Sequence, residues 1–248
     1  MSGITRAVAA RPEEDALLGR PRHAALLTAA VVAVTAAVFA LVADHGTLAG
    51  IQRLDDAWLR LMISGRAAPL TAIAKVFNVL GLVYVTLPVR IALVGFLAVR
   101  RRWWHLAAFA AAIAASEVLI GPLKGSYDRA RPPGSLVATS GASFPSGHAI
   151  AASVTVVAAV IALVPAGRRR TVWGAAAAAF SIVMGLSRAY LGAHWLSDAT
   201  AGILLGTSCA LVTALVTDQF QRRRNRGLQP RRAPRPAGVR PPRHVRNG

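Results

Sequence analysis

The stretch "AALLTAAVVAVTAAVFALVA" at residues 24–43 decides the fold, because it contains no charged residue and no polar stripe. A helix of about 20 apolar residues crosses the roughly 30 Å hydrocarbon core of a bilayer, and a helix that is apolar on all sides fits lipid better than water. The stretch is too long for the apolar core of a signal peptide, and Glu13, Glu14 and Asp15 precede it. We therefore predict a membrane-spanning helix.

Further apolar stretches follow along the chain, separated by charged loops. Of the 248 residues, 54% are hydrophobic, and the mean hydropathy of +0.48 is too high for an ordinary soluble domain. We predict an all-α integral membrane protein with six transmembrane helices. The predicted spans are residues 24–43, 72–99, 103–121, 149–165, 171–187 and 199–217. The second is long enough to tilt or to begin later, and the fourth and fifth are short.

Arginine clusters orient these spans. The net charge is +19, and arginines gather before the first predicted span and after the second, fourth and sixth. With six spans all of these clusters lie on one side, which the positive-inside rule makes the cytoplasm. Both termini are then cytoplasmic, and loops 44–71, 122–148 and 188–198 face outward. The Ala- and Arg-rich composition is typical of a GC-rich bacterial genome, which favours the plasma membrane.

The chain divides into a cytoplasmic tail (1–22), a six-span membrane domain (23–218) and a basic C-terminal tail (219–248). The C-terminal tail is rich in Arg and Pro, which predicts disorder. It either sets topology or binds anionic lipid. No aromatic residues interleave its arginines, so we expect no nucleic-acid partner. Residues 47–62 have helical apolar spacing, typical of an interfacial helix or a plain connecting helix.

Three cations and a small-residue turn lie in the predicted outer loops. Lys124 and Arg131 belong to "KGSYDRARPP", and Arg188 follows the fifth span. Cations brought together repel one another unless an anion with several oxygens lies between them, and guanidinium groups fit phosphate. Ser146 and Gly147 add a hydroxyl and room for close backbone approach, at the predicted start of a helix whose free N–H groups attract anions. The pattern predicts a phosphate site. Asp128 and Arg129, in the same loop, are expected to face solvent.

Two histidines and a carboxylate accompany these cations. His194 and Asp198 are four residues apart and share a face if this segment is helical. A carboxylate on one imidazole nitrogen fixes the tautomer and leaves the other nitrogen free to attack. His148 is a second imidazole that can protonate a leaving oxygen. Together these groups indicate phosphoryl transfer through a covalent phospho-histidine.

The order of these segments resembles a known family. The patterns K-x6-R-P, P-S-G-H and S-R-x5-H-x3-D at residues 124–198 are similar to the three-part signature of the type-2 phosphatidic acid phosphatase family. That family shares its site with class A acid phosphatases and vanadium haloperoxidases. Every signature position carries the expected residue, and the six-helix layout extends the resemblance to about residues 24–217.

The resemblance implies a role for each signature residue. It implies that His194 is the nucleophile, that Asp198 orients it, and that His148 is the general acid. It implies that the phosphoryl oxygens are held by Lys124, Arg131, Ser146, Gly147 and Arg188. It implies no metal and no cofactor, and the sequence shows no cluster at ligand spacing beside these residues. The single cysteine, Cys209, forms no intramolecular disulfide.

The function expected from this resemblance is a metal-independent membrane lipid phosphate phosphatase with a helical phosphatase core. Its substrate would be a lipid phosphomonoester or pyrophosphate, such as a polyprenyl pyrophosphate, phosphatidylglycerophosphate or phosphatidic acid. The alternatives are a lipid phosphotransferase and a non-catalytic membrane transport or scaffold relative. The sequence does not give the oligomeric state.

Two charged residues fall inside predicted spans. Arg90 and Glu117 lie at similar depth, and a charge within a membrane is usually paired. We predict an Arg90–Glu117 pair between neighbouring helices. Alternatively, Glu117 points toward Lys124, seven residues along the same helix.

Overall fold

The computed structural model describes residues 17–18 and 21–227, which form eight helices and no strand. This confirms the all-α class. The helices are α1 (Pro21–Ala43), α2 (His45–Ser64), α3 (Ala68–Leu80), α4 (Val83–Val99), α5 (Trp103–Tyr127), α6 (Gly147–Leu163), α7 (Arg168–Tyr190) and α8 (Leu196–Gly227).

Four of the described helices, α1, α5, α7 and α8, are long and apolar enough to cross a membrane. The bent pair of α3 and α4 raises the number to five if it counts as one span. The remaining apolar helix, α6, has 17 residues and is about 26 Å long at 1.5 Å per residue, short of the roughly 30 Å core. The predicted number of six spans is therefore not confirmed. Hydropathy alone did not show where α6 ends, at an extended Val164 before Pro165.

The predicted second span, 72–99, is not one continuous helix. It is bent by 52° between α3 and α4, and Gly81 caps the end of α3. A Cβ at Gly81 would overlap the imidazole of His148. The backbone at the break therefore packs directly against His148, a predicted site residue. A side chain at position 81 would displace the His148 ring.

The core is centred on α6, which packs most extensively against α8 and also against α5 and α7. Two glycines one turn apart on α8 make this approach possible. A Cβ at Gly202 would lie 2.6 Å from the Ser146 carbonyl oxygen, and a Cβ at Gly206 would lie 2.6 Å from that of Ile150. Small residues let membrane helices pack backbone to backbone, and here they fix the start of α6 against α8.

Around this core, large apolar side chains cover the outside of the molecule. Leu26, Ile91, Val99 and Val118 are among the exposed aliphatic residues. In a soluble protein such a surface would promote association, whereas lipid accommodates it. This distribution agrees with helices that lie in a bilayer.

The last helix continues beyond the predicted membrane domain. Because α8 runs to Gly227, residues 219–227 of the predicted disordered tail are helical instead. Asp218 accepts from the Arg222 guanidinium at 2.6 Å, which stabilises this extension. The rest of that tail, 228–248, and most of the predicted N-terminal tail, residues 1–16 and 19–20, lie outside the described residues.

The pair predicted within the spans is confirmed. The Arg90 guanidinium donates to the Glu117 carboxylate at 2.8 Å and to the Thr155 hydroxyl at 3.0 Å. Arg90 therefore ties α4 to both α5 and α6, and the alternative in which Glu117 pairs with Lys124 is not what the structure shows.

Candidate active site

His194 lies in the tight turn between α7 and α8, where it is 4% exposed. Gly192 makes this turn possible with a φ of +68°, in the left-handed region that favours glycine. The His194 Nδ1 atom is 2.8 Å from the Ser143 carbonyl oxygen and 3.7 Å from Asp198 Oδ2. A carbonyl oxygen only accepts hydrogen bonds, so Nδ1 carries the proton and Nε2 keeps its lone pair. Ser143, which sequence reasoning missed, shares with Asp198 the task of fixing this ring.

Asp198, in the first turn of α8, is fully buried. Its carboxylate accepts from the Arg129 guanidinium at 2.7 Å, from the Trp195 backbone N–H at 2.9 Å and from the Ser143 hydroxyl. These donors satisfy both oxygens and hold the carboxylate beside His194. Asp198 is therefore a fixed negative charge next to the ring that is predicted to attack.

The chemical state of His194 follows from this burial. Burial lowers the pKa of the imidazole from 6.5 to about 4, and the positive charges of Arg188 and Arg131 add to this, while Asp198 opposes it. His194 is then neutral at neutral pH. An uncharged ring with a free Nε2 is the form that a nucleophile requires.

Two of the predicted cations, Lys124 in the last turn of α5 and Arg131 in the loop that follows, contact the same loop carbonyl oxygen, that of Ala142. Arg131 lies 3.3 Å from His194 Nε2 and donates to the carbonyl oxygens of Ala193, Gly141 and Ser140 at 2.7 to 2.9 Å. Burial lowers its pKa. Lys124 donates to the Ala142 carbonyl oxygen at 2.5 Å. Backbone carbonyl oxygens thus hold both cations at the site, and the Ala142 oxygen accepts from both.

The third cation comes from the end of α7. Arg188 is 2% exposed, and one of its terminal nitrogens donates to the side-chain oxygen of Asn78 on α3. Arg188, His194 and Arg131 all lie close enough to His148 to act on it electrostatically. The structure therefore brings together residues from three separated segments of the sequence, as the motifs predict.

The start of α6 completes this group. Ser146 is the residue before the helix, and its backbone N–H donates to the Asp198 carbonyl oxygen at 3.1 Å. Gly147 is the first residue of α6, whose free N–H groups form a positive helix end. Buried polar atoms of Ser146 (Oγ), His148 (Nε2) and Arg188 (Nε) have no hydrogen-bond partner within the described part of the chain. Because buried polar groups are normally paired, these three atoms mark a site for a polar ligand.

Sequence reasoning missed three residues of this arrangement, namely Ser143, Arg129 and Asp55. Arg129 does not face solvent as predicted, since its side chain is 8% exposed and pairs with Asp198 and Asp55. Asp128 is exposed, as predicted. A charge in a hydrophilic loop gives no signal of burial. The only hint was that Arg129 stands between Lys124 and Arg131.

The described residues contain no group of three or more His, Cys, Asp or Glu side chains that could hold a metal ion. The polar groups at the site are mainly hydrogen-bond donors, which suit an anion. The expectation that no metal takes part in the reaction stays a prediction.

Comparisons with known proteins give the family. Residues 105–222, which contain all eight predicted site residues, match the family model described as the PAP2 superfamily. No match was found among curated proteins. A transmembrane PAP2-type phosphatidylglycerolphosphate phosphatase from Bacillus subtilis superposes with a TM-score of 0.66 at 22% identity, covering 79% of this chain and 96% of that one. LpxE from Aquifex aeolicus superposes with a TM-score of 0.52 at 25% identity, covering 62% and 91%. The resemblance predicted from the three motifs is thus confirmed by the match of residues 105–222 to the PAP2 superfamily model.

Proposed function

We propose that this protein is a membrane lipid phosphate phosphatase that works through a phospho-histidine on His194. The observation that carries the proposal is the set of unpaired buried atoms on Ser146, His148 and Arg188, near the free Nε2 of His194. Ser146 and Arg188 would donate to phosphoryl oxygens, His194 would be the nucleophile, and His148 would carry the proton. Membership of a family of phosphatases and the fold of the two solved relatives support it.

In the first step, His194 Nε2 attacks phosphorus and the bond to the leaving oxygen breaks. His148, which gains a proton once the negative charge of the substrate phosphate lies beside it, gives its Nε2 proton to that oxygen as the alcohol or phosphate leaves. The imidazole ring of His194 becomes positively charged, and the nearby Asp198 carboxylate stabilises it. The Ser143 carbonyl holds the Nδ1 proton throughout.

In the second step, water attacks the phosphorus atom of the phospho-histidine. His148, now neutral, takes a proton from the water, and the N–P bond breaks to return the electron pair to Nε2. Inorganic phosphate leaves, and both histidines regain their starting states. In both steps, negative charge on the phosphoryl oxygens is stabilised by Arg188, Ser146, Lys124, Arg131 and the N–H groups at the start of α6.

The proposal also includes a topology. We count six spans, with the bent α3–α4 pair as one and α6 as a short sixth that the other helices surround. The arginines at residues 100–102, 168–170 and 222–226 then face the cytoplasm, and the site faces outward. The proposed plasma-membrane location rests on the Ala- and Arg-rich composition, which is typical of a GC-rich bacterial genome. The substrate is a lipid phosphomonoester or pyrophosphate, and none of the site contacts distinguishes among lipids.

The test is phosphate release by purified protein in detergent with EDTA, from polyprenyl pyrophosphate, phosphatidylglycerophosphate and phosphatidic acid. We expect release from at least one lipid. The variant Arg188→Ala should lower kcat/KM by about 10²- to 10³-fold, because a buried guanidinium is lost from the charge that develops in the transition state. Arg169→Ala, which removes an exposed arginine remote from the site, is the control and should match wild type.

Equal release by wild type and Arg188→Ala would contradict the assignment of this arginine and indicate a contaminating phosphatase. Release that requires added metal would contradict the metal-independent mechanism. No release from any of these lipids by folded protein would favour the non-catalytic alternative.

The protonation of His194 gives a separate prediction. Because burial lowers its pKa from 6.5 to about 4, the ring should stay neutral as the pH falls from 8 and should gain its proton only near pH 4. Long-range ¹H–¹⁵N spectra of histidine-labelled protein in detergent report both the midpoint and the protonated nitrogen, with His194→Gln assigning the signal. A midpoint near 6.5, or a proton on Nε2, would contradict the prediction.

A further inference from the structure

We propose that Asp55 of α2 and Arg129 form a positioning pair for Asp198, and through it for His194. Helix α2 then contributes to the geometry of the site. The inference rests on the proposed function for the role of His194. It adds a helix that lies outside both the three sequence motifs and the segment matched by the family model.

The geometry is that of one guanidinium shared by two buried carboxylates. Arg129 donates through Nη1 to Asp198 Oδ1 at 2.7 Å and through Nη2 to Asp55 Oδ2 at 2.8 Å. Asp55 is 2% exposed, although it lies on a helix with an otherwise largely accessible surface. A carboxylate is rarely buried in this way unless it is paired, and the Arg129 guanidinium is the cation that pairs with Asp55.

A second set of contacts fixes the same helix to the start of α8. The Ser197 backbone N–H donates to Asp55 Oδ1 at 2.9 Å, and its hydroxyl donates to Oδ2 at 2.5 Å. Arg129 also donates to the Ser197 hydroxyl at 2.7 Å. Since Ser197 directly precedes Asp198, α2 holds the backbone that carries the catalytic carboxylate as well as the cation that binds it.

Arg129 itself has little freedom to move. Its guanidinium donates to the Gln52 side-chain oxygen at 2.7 Å and lies over the Trp195 ring, 5.6 Å from the centroid. Trp195 directly follows His194 and its indole donates to the Ala130 carbonyl oxygen at 2.8 Å. The cation is therefore fixed between α2 and the His194 turn.

The charge of Asp55 has a consequence at His194. While both carboxylates are charged, the Arg129 cation is divided between them, and Asp198 retains much of its effect on the His194 ring. With a neutral residue at position 55, the cation acts on Asp198 alone, and the surroundings of His194 become more positive. The positively charged phospho-imidazole is then less stable. The other groups that act on His194 are Arg188, Arg131 and His148.

The test compares Asp55→Asn with two controls on the full-length protein in detergent. Asp56→Asn makes the same chemical change one residue away, on a carboxylate bonded to Gln52 and not to Arg129. Ser197→Ala removes hydrogen bonds from the cluster without changing its charge. The readouts are kcat and KM for phosphate release, and the His194 midpoint from long-range ¹H–¹⁵N spectra.

For Asp55→Asn we expect kcat to fall about 10- to 100-fold with KM within about twofold, as for a displaced catalytic group, and the His194 midpoint to fall. Asp56→Asn should match wild type in both readouts. Ser197→Ala should lower the thermal unfolding midpoint yet leave the His194 midpoint unchanged. If Asp55→Asn does not fold, Asp55→Glu, which keeps the charge on a longer side chain, should keep the wild-type His194 midpoint.

An unchanged kcat and His194 midpoint in Asp55→Asn would overturn the inference. Equal shifts of the His194 midpoint in Asp55→Asn and Ser197→Ala would also overturn it, because they would show that the cluster is purely structural. A changed His194 midpoint in Asp55→Glu would overturn it as well. The midpoint requires no substrate. If wild type released no phosphate from any lipid, the proposed function would fail, and the midpoints would still decide whether this pair controls His194.

Discussion

His194→Ala is expected to lower kcat for lipid phosphate release by at least about 10⁴-fold, since losing the nucleophile of a covalent mechanism has effects of that size. The reason is geometric. His194 carries a free Nε2 beside Arg131, with its other nitrogen held by the Ser143 carbonyl. The second histidine of the motifs, His148, lies at the start of α6 against Gly81, and its proposed role is proton transfer.

The measurement combines turnover with trapping of the intermediate. Protein mixed with lipid labelled at the phosphoryl group and quenched in base should retain label in wild type and none in His194→Ala, because phospho-histidine survives base and is lost in acid. His105→Ala is the matched control, a histidine of equal burial near the start of α5, at the opposite end of that helix from Lys124. Label in His194→Ala, or turnover equal to wild type, would show that His194 is not the nucleophile.

Gly206→Leu is expected to prevent folding, and Gly206→Ala to lower the thermal unfolding midpoint by several degrees. A Cβ at this position would overlap the Ser153 hydroxyl and lie 2.6 Å from the Ile150 carbonyl oxygen and 2.9 Å from the Val154 nitrogen. Two of these contacts are backbone atoms of α6, so the helices themselves would have to separate. Overpacking of a tight core costs about 1–3 kcal/mol, and a leucine adds further atoms in the same place.

A second glycine separates this effect from helix propensity. Gly95 lies in α4, and a Cβ there would meet nothing within 4 Å. Gly95→Ala should therefore keep or raise the unfolding midpoint, because alanine in a helix interior is about 0.5–1 kcal/mol more stable than glycine. Thermal unfolding in detergent and the yield of monodisperse protein measure both variants. If Gly206→Ala unfolded at the same temperature as Gly95→Ala, the close contact between α6 and α8 would be contradicted.

The sequence predicted the helical class and the family because both depend on local signals. Apolar runs must form helices in lipid to satisfy their backbone groups, and the signature residues keep fixed spacing along the chain. The Arg90–Glu117 pair was also predictable, since a charge at depth needs a partner and depth can be counted from the loop.

What the sequence did not predict depends on contacts between distant segments. Asp55 and Arg129 resemble ordinary loop and surface charges, and only the packing of α2 against the start of α8 buries them. The break at Gly81 was missed because hydropathy averages over two apolar halves. The number of six spans stays unconfirmed, because α6, with 17 residues, is short for a membrane span, as the predicted fourth span already was.

The position of Asp198 on α8, the last helix described, has a consequence for biosynthesis. A ribosome completes Asp55 and Arg129 before it reaches Leu196, so the partners that α8 provides for these two charges, Ser197 and Asp198, are made after them. The His194 turn, Asp198 and the glycines that seat α6 all follow α7 in the chain. The proposed site therefore cannot form until α8 has been synthesised and packed, and a chain that stops before Asp198 has the Asp55–Arg129 pair but lacks the carboxylate that this pair would position.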